Sequence, residues 1–147
     1  PVSDLGSGAW LGLRAIQQSL LCHDGILPPS TLAIRLLDHF KRDQAEVVRW
    51  AARAIPADYG RFAPWVFDAA SDGDELACQL LDETCQQLAT LLEGMRQLGA
   101  DRIALLGGIG MRLAPRLAHL PLVSPGADAL EGAILFSRSE AYPCLHP

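Results

Sequence analysis

The segment Asp4-Leu5-Gly6-Ser7-Gly8-Ala9-Trp10 sets a carboxylate beside glycines at the head of a helical stretch. A carboxylate accepts hydrogen bonds from two vicinal hydroxyls, so Asp4 is a candidate contact for a sugar. Gly6 and Gly8 let the backbone approach a ligand closely. The same spacing also suits a helix N-cap, with Asp4 or Ser7 satisfying free N–H groups of the first turn. A second segment, Leu105-Leu106-Gly107-Gly108-Ile109-Gly110, puts glycines where an apolar run enters a helix. Free backbone N–H groups there admit a flat ligand, although a tight strand-to-helix turn explains the glycines equally. The spacing is not the dinucleotide fingerprint, and no Lys-Ser/Thr follows to complete a phosphate loop. In a third segment, Asp128 and Glu131 have capping-box spacing, and Gly132-Ala133 predicts close packing of a helix on a neighbour.

Other reactive residues form no pattern. His23, His39, His119 and His146 stand apart from any Glu or Cys at ligand spacing, so no metal site is expected. Cys22, Cys78, Cys85 and Cys144 make no CxxC pair. Cys78 and Cys85 share a helix face about 10 Å apart along its axis, too far for an unstrained disulfide. Reduced thiols of a cytoplasmic protein are the expectation. There is no GxSxG motif, and the adjacent side chains of Cys22 and His23 diverge on a helix, so no nucleophile–base pair is evident.

Helices must position these segments. Trp10, Leu13, Ile16 and Leu20 recur at helical spacing until Asp24-Gly25 and Pro28-Pro29. Ser30 caps a helix carrying Leu32, Leu36, Leu37 and Phe40. Asp43 starts another with Val47, Trp50, Ala51 and Ala54, and Pro56 stops it. A short helix over 62–70 tolerates Pro64 in its first turn. The acidic run 71–75 opens the longest helix, with a stripe of Leu76, Leu80, Thr84, Leu88, Leu91/Leu92 and Met95, ending at Gln97 before Gly99. Trp10, Trp50 and Trp65 fall on these stripes and are expected in the core.

The pattern changes at Arg102. Residues 103–106 read as a buried strand, 107–110 as a loop, and 111–118 as a helix kinked by Pro115. A weak strand over 120–123, a turn over 124–126 and a helix over 128–138 follow. Two strands make no stable sheet alone, so further strands are expected elsewhere in the polypeptide or in a partner. The organisation is one lobe over 1–138, with a helical part 7–98, a strand–loop–helix part 102–138, and a patternless tail 139–147.

Composition limits the possibilities. Twenty-five Leu and 21 Ala against 5 Val and 7 Ile exclude a pure β sandwich and indicate a helix-dominated α/β fold. The formal charge is −5, and Lys and Arg are scattered, so no nucleic-acid-binding face is expected. No uncharged apolar run approaches the roughly 18 residues that cross a bilayer. The first residues lack a basic segment followed by an apolar core.

The motifs, in this order, resemble the C-terminal lobe of the N-acetylglucosamine/glucosamine kinase branch of the BadF/BadG-type ATPases, in the actin–hexokinase superfamily with its ribonuclease H-like fold. That family carries Asp-Glu-Gly-Ser-x-x-Trp, here the segment 4–10. It continues with Ala-x-x-Gly-Asp, here Ala70-Ser71-Asp72-Gly73-Asp74, before a long helix. A strand ending in Gly-Gly or Gly-Ser follows, here Gly107-Gly108, and the family closes on a Gly-Ala helix, here Gly132-Ala133. Leu5 stands where the family commonly has Glu.

The resemblance implies ATP-dependent phosphorylation of an amino sugar. Asp4, with Gly6 and Ser7 in its loop, would contact sugar hydroxyls. Gly107 and Gly108 would pass beside the nucleotide, with Gly110 and Met111 lining the same crevice. The family's catalytic aspartate, both phosphate-binding glycine loops and the Mg²⁺-binding acid lie upstream, so no catalytic or metal-binding residue is expected in this chain. The chain, opening on Pro1, then reads as the back half of a kinase, inactive alone, with a missing N-terminal lobe as partner and a homodimer as one possible assembly. Two alternatives accompany this reading: a non-catalytic helical ligand-binding or sensor module derived from such a kinase, and a dehydratase-activator-type ATPase.

Overall fold

The computed structural model describes residues 4–138. The chain divides into two compact units, Pro1–Gly99 and Ala100–Pro147. In the first unit, helices α1 (Gly8–His23), α2 (Thr31–His39), α3 (Gln44–Ala51), α4 (Pro56–Gly60), α5 (Ala63–Ser71) and α6 (Glu75–Gln97) follow in order. Side-chain caps start four of them. Ser7, Ser30, Asp43 and Asp74 accept the N–H groups of Trp10, Ala33, Ala45 and Ala77.

Helix α1 is central, packing on α2, α4, α5 and α6. Leu11 and Ala15 of α1, Leu32 and Leu36 of α2, Val66 of α5, and Leu80, Leu81 and Thr84 of α6 are buried. Each fully buried Leu contributes about 1.5–3 kcal/mol relative to exposure. The buried Thr84 hydroxyl donates to Leu80 O at 2.6 Å, which satisfies it within its own helix. The α6 stripe is buried as expected at Leu80, Thr84 and Leu92, but Ala77 and Leu81 join it, whereas Leu91 and Met95 are exposed.

Gly12 fixes how closely α1 approaches α4. A Cβ at Gly12 would stand 1.9 Å from Tyr59 O, so only hydrogen fits between the two backbones. Pro56, expected to stop a helix, opens α4 instead: α3 already ends at Ala51. Proline suits a first turn because its missing N–H would find no helical partner there. Asp58 reaches back to accept the Ile55 N–H at 2.9 Å. Tyr59 then packs edge-on against Trp50, with ring centroids 4.9 Å apart.

The second unit differs from expectation in its strands. Its described residues hold a single parallel bridge, Ile103 to Leu122, with Val123 N–H donating to Ile103 O at 2.9 Å. An isolated bridge has no further strand to extend it into a ladder. The expected loop 107–110 is the first turn of α7 (Gly107–Leu113), and Pro115 shifts the chain into a 3-10 turn over Ala114–Leu117. Ile103, Leu113 and Leu117 are buried. Helix α8 (Ala129–Arg138) starts with the expected capping box, Glu131 N–H donating to Asp128 at 2.8 Å. Close packing at Gly132 and Ala133 is not formed among the described residues: α8 buries none of its residues, and a Cβ at Gly132 would meet nothing within 4 Å.

Candidate functional site

Of the two residues that could cap α1, the structure assigns the cap to one. Ser7 is the cap: its Oγ accepts the Trp10 N–H at 3.1 Å. Asp4 is therefore released from capping. Its backbone O accepts the Ser7 N–H at 3.1 Å, closing a turn over Leu5 and Gly6. Its carboxylate makes no hydrogen bond or ion pair among the described residues, and Asp4 borders a hollow. Gly6 makes the turn possible. Its φ is +76°, a left-handed conformation that costs an L-residue with a side chain, and it is buried against Leu88 of α6.

The hollow has a volume of about 350 Å³ and is mostly apolar, bordered by Leu5, Trp10, Leu13, Ala54 and Tyr59 besides Asp4. Trp10 therefore does not sit wholly in the core. It is half-buried and presents part of its ring to the hollow. A carboxylate beside aromatic rings suits a ligand with hydroxyls on its rim and C–H groups on its faces. Tyr59 carried no sequence signal of its own. Pro56 with Asp58 two residues on, a first-turn proline followed by a capping acid, marked the short helix that delivers it.

Clamps hold the hollow in place. Arg14 of α1 grips the Glu83 carboxylate of α6 with two nitrogens, at 3.0 and 3.3 Å. The α1–α4 contact at Gly12 brings Tyr59 alongside.

The second glycine segment lies in the other unit. Gly107 has φ +79° and opens α7 with no side chain capping it. Gly107 and Gly108 are exposed, and a Cβ at either would meet nothing within 4 Å. Gly110 is packed: its Cβ would approach the Leu105 Cβ to 3.2 Å. Met111 is 67% exposed and borders a hollow of about 340 Å³ with Leu105, Leu120, Leu122 and Ser124. The structure thus places Asp4, Gly6 and Ser7 in one turn and Gly107, Gly108, Gly110 and Met111 along α7, where Met111 borders the hollow but, contrary to expectation, the three glycines do not line it.

Burial, helped by the nearby Asp74 carboxylate, pushes the Cys22 thiol up towards its neutral form, the opposite of what a nucleophile needs. Cys22, Cys78 and Cys85 form no disulfide among the described residues, and Cys144 lies outside the described residues, as does His146. Among the described residues, no three His, Cys, Asp or Glu side chains converge as a metal site. No described helix is long and apolar enough to cross a membrane.

Comparison with known proteins gives concordant matches. The profile of the BadF/BadG/BcrA/BcrD ATPase family matches residues 1–119. Glucosamine kinase GspK of Vibrio cholerae serotype O1 is 42% identical over 140 residues, 93% of this chain and 48% of the relative. A crystal structure from Chromobacterium violaceum, of a protein assigned as an N-acetylglucosamine kinase, superposes with a TM-score of 0.79 at 34% identity. That match covers 92% of this chain and 48% of the other. The chain spans about half the length of the relatives it matches.

Proposed function

The chain belongs to the BadF/BadG/BcrA/BcrD ATPase family, and from that premise we propose that it is the C-terminal lobe of an ATP-dependent amino-sugar kinase. The observation that carries the reading is the 42% identity to a glucosamine kinase over 140 residues, 93% of this chain. The Asp4 carboxylate, uncommitted among the described residues, supports it, because a carboxylate engaged in capping would have little left for a substrate.

In this reading Asp4 accepts hydrogen bonds from sugar hydroxyls and so orients the sugar. Trp10 and Tyr59 offer apolar faces to its C–H groups and displace water from them. Gly107 and Gly108 let the nucleotide pass close to the backbone, since nothing occupies the space a side chain would fill. Met111, further along α7, borders a hollow that these glycines do not line. Phosphoryl transfer depends on positioning and charge neutralisation. The base that takes the proton from the attacking hydroxyl, the phosphate loops and the Mg²⁺ ligands belong to the half of the kinase that this chain does not span. The lobe alone would bind without turning over, in the cytoplasm.

The test is a titration of the chain with glucosamine, N-acetylglucosamine and ATP, following the backbone amides of 4–10 and 107–111 by NMR. Sugar-dependent shifts in the first set and ATP-dependent shifts in the second are expected. Sugar binding without any response to ATP would replace the kinase with a sugar-sensing module.

A further inference from the structure

We propose that Leu88, in the middle of α6, is a positioning residue that sets where the Asp4 carboxylate stands over its hollow. The inference rests on the kinase reading and adds to it a residue remote in sequence from either glycine segment.

A Cβ at Gly6 would lie 2.7 Å from Leu88 Cγ and 2.8 Å from Leu88 Cδ2, so the Gly6 backbone rests directly on the Leu88 side chain. The positive φ of Gly6 gives the turn its shape, and Leu88 gives it its seat. The seat is rigid. Leu88 follows Leu81 and Thr84, both buried, along one face of α6, and the Arg14–Glu83 clamp ties that helix to α1. Asp4 is the opening residue of the turn that the Ser7 N–H closes on its carbonyl oxygen. A shift of Gly6 therefore passes to Asp4 within a single turn. Leu88 itself is only half-buried, which separates its effect on the turn from its effect on the core.

The expected consequence is selective. In the full-length polypeptide that carries this chain, Leu88→Ala removes the seat and should raise the sugar KM by about fivefold while leaving the ATP KM within about twofold. Leu88→Met retains the bulk and should restore the sugar KM. Gly6→Ala should raise the sugar KM further, and adding Leu88→Ala to it should recover part of the loss by relieving the clash. Circular dichroism of each variant identifies any that fail to fold; Leu88→Met then carries the comparison with wild type. Equal rises in both KM values, or no rise in either, would overturn the positioning role. An unmutated polypeptide that phosphorylates no amino sugar would overturn the kinase reading and this role with it, a failure visible before any variant is made.

Discussion

Ser30 and Asp74, the N-caps of α2 and α6, are hydrogen-bonded to one another. Ser30 Oγ donates to Asp74 Oδ2 at 2.9 Å, while each residue accepts N–H groups at the start of its own helix. Asp74 also accepts the Thr31 N–H at 2.7 Å and the Thr31 hydroxyl at 2.8 Å. One carboxylate therefore serves two helix N-termini, where the aligned peptide dipoles favour negative charge. Asp74→Ala should destabilise the chain by about 2–3 kcal/mol, above the ~1 kcal/mol of an ordinary cap. Urea denaturation of both chains measures this, and a loss under about 1 kcal/mol would show that water replaces the carboxylate at both helices.

The same group predicts a pH dependence. Burial raises the Asp74 pKa, but hydrogen bonds from Ala77 N–H, the Thr31 hydroxyl, Leu32 N–H and Ser30 outweigh it and hold it below the ordinary 3.8. A carboxylate with a depressed folded pKa stabilises the fold above its unfolded value and loses that stabilisation as pH falls through the folded one. Melting temperature should therefore drop as pH falls below about 4, and the drop should be shallower in Asp74→Asn. Parallel melting curves for the two proteins across that range would exclude Asp74 as the source.

Ser7 and Asp4 should separate folding from binding. Ser7→Ala removes a cap and should cost about 1 kcal/mol of stability. Asp4→Ala touches no cap and should change stability by less than about 0.5 kcal/mol. In a full-length context Asp4→Ala should raise the sugar KM or abolish turnover. An unchanged kcat/KM would return Asp4 to the status of a loop residue.

Gly108 offers a similar separation in the second unit. Its added Cβ meets nothing, and alanine favours the helix by roughly 0.5–1 kcal/mol over glycine. Gly108→Ala should therefore leave the chain as stable or more so, yet raise the ATP KM of the full-length polypeptide. An unaffected ATP KM would move the nucleotide away from Gly108.

The sequence revealed what is local. Ser7, Ser30, Asp43 and Asp74 were legible as helix starts because each acts on an N–H two or three residues away. The Asp4 turn was legible as a candidate site and as a cap, but which residue caps was not clear until Ser7 was seen to accept the Trp10 N–H. What depends on distant partners was hidden. Tyr59 reaches the hollow through a glycine 47 positions earlier, and Leu88 meets Gly6 across 82 positions. The strands at 103–106 and 120–123 have apolar sequences but, among the described residues, pair only with each other, and they reduce to one bridge. Gly107 to Gly110 looked like a loop because glycine is a poor helix former, yet they are helical.

The most direct test of the account is a coupled assay of ATP-dependent phosphorylation with glucosamine, N-acetylglucosamine and glucose. It is run on the full-length polypeptide and on the 147-residue chain alone. The account predicts turnover of an amino sugar by the full-length polypeptide and none by the chain. Turnover by the isolated chain, or none by the full-length polypeptide with either amino sugar, would contradict it.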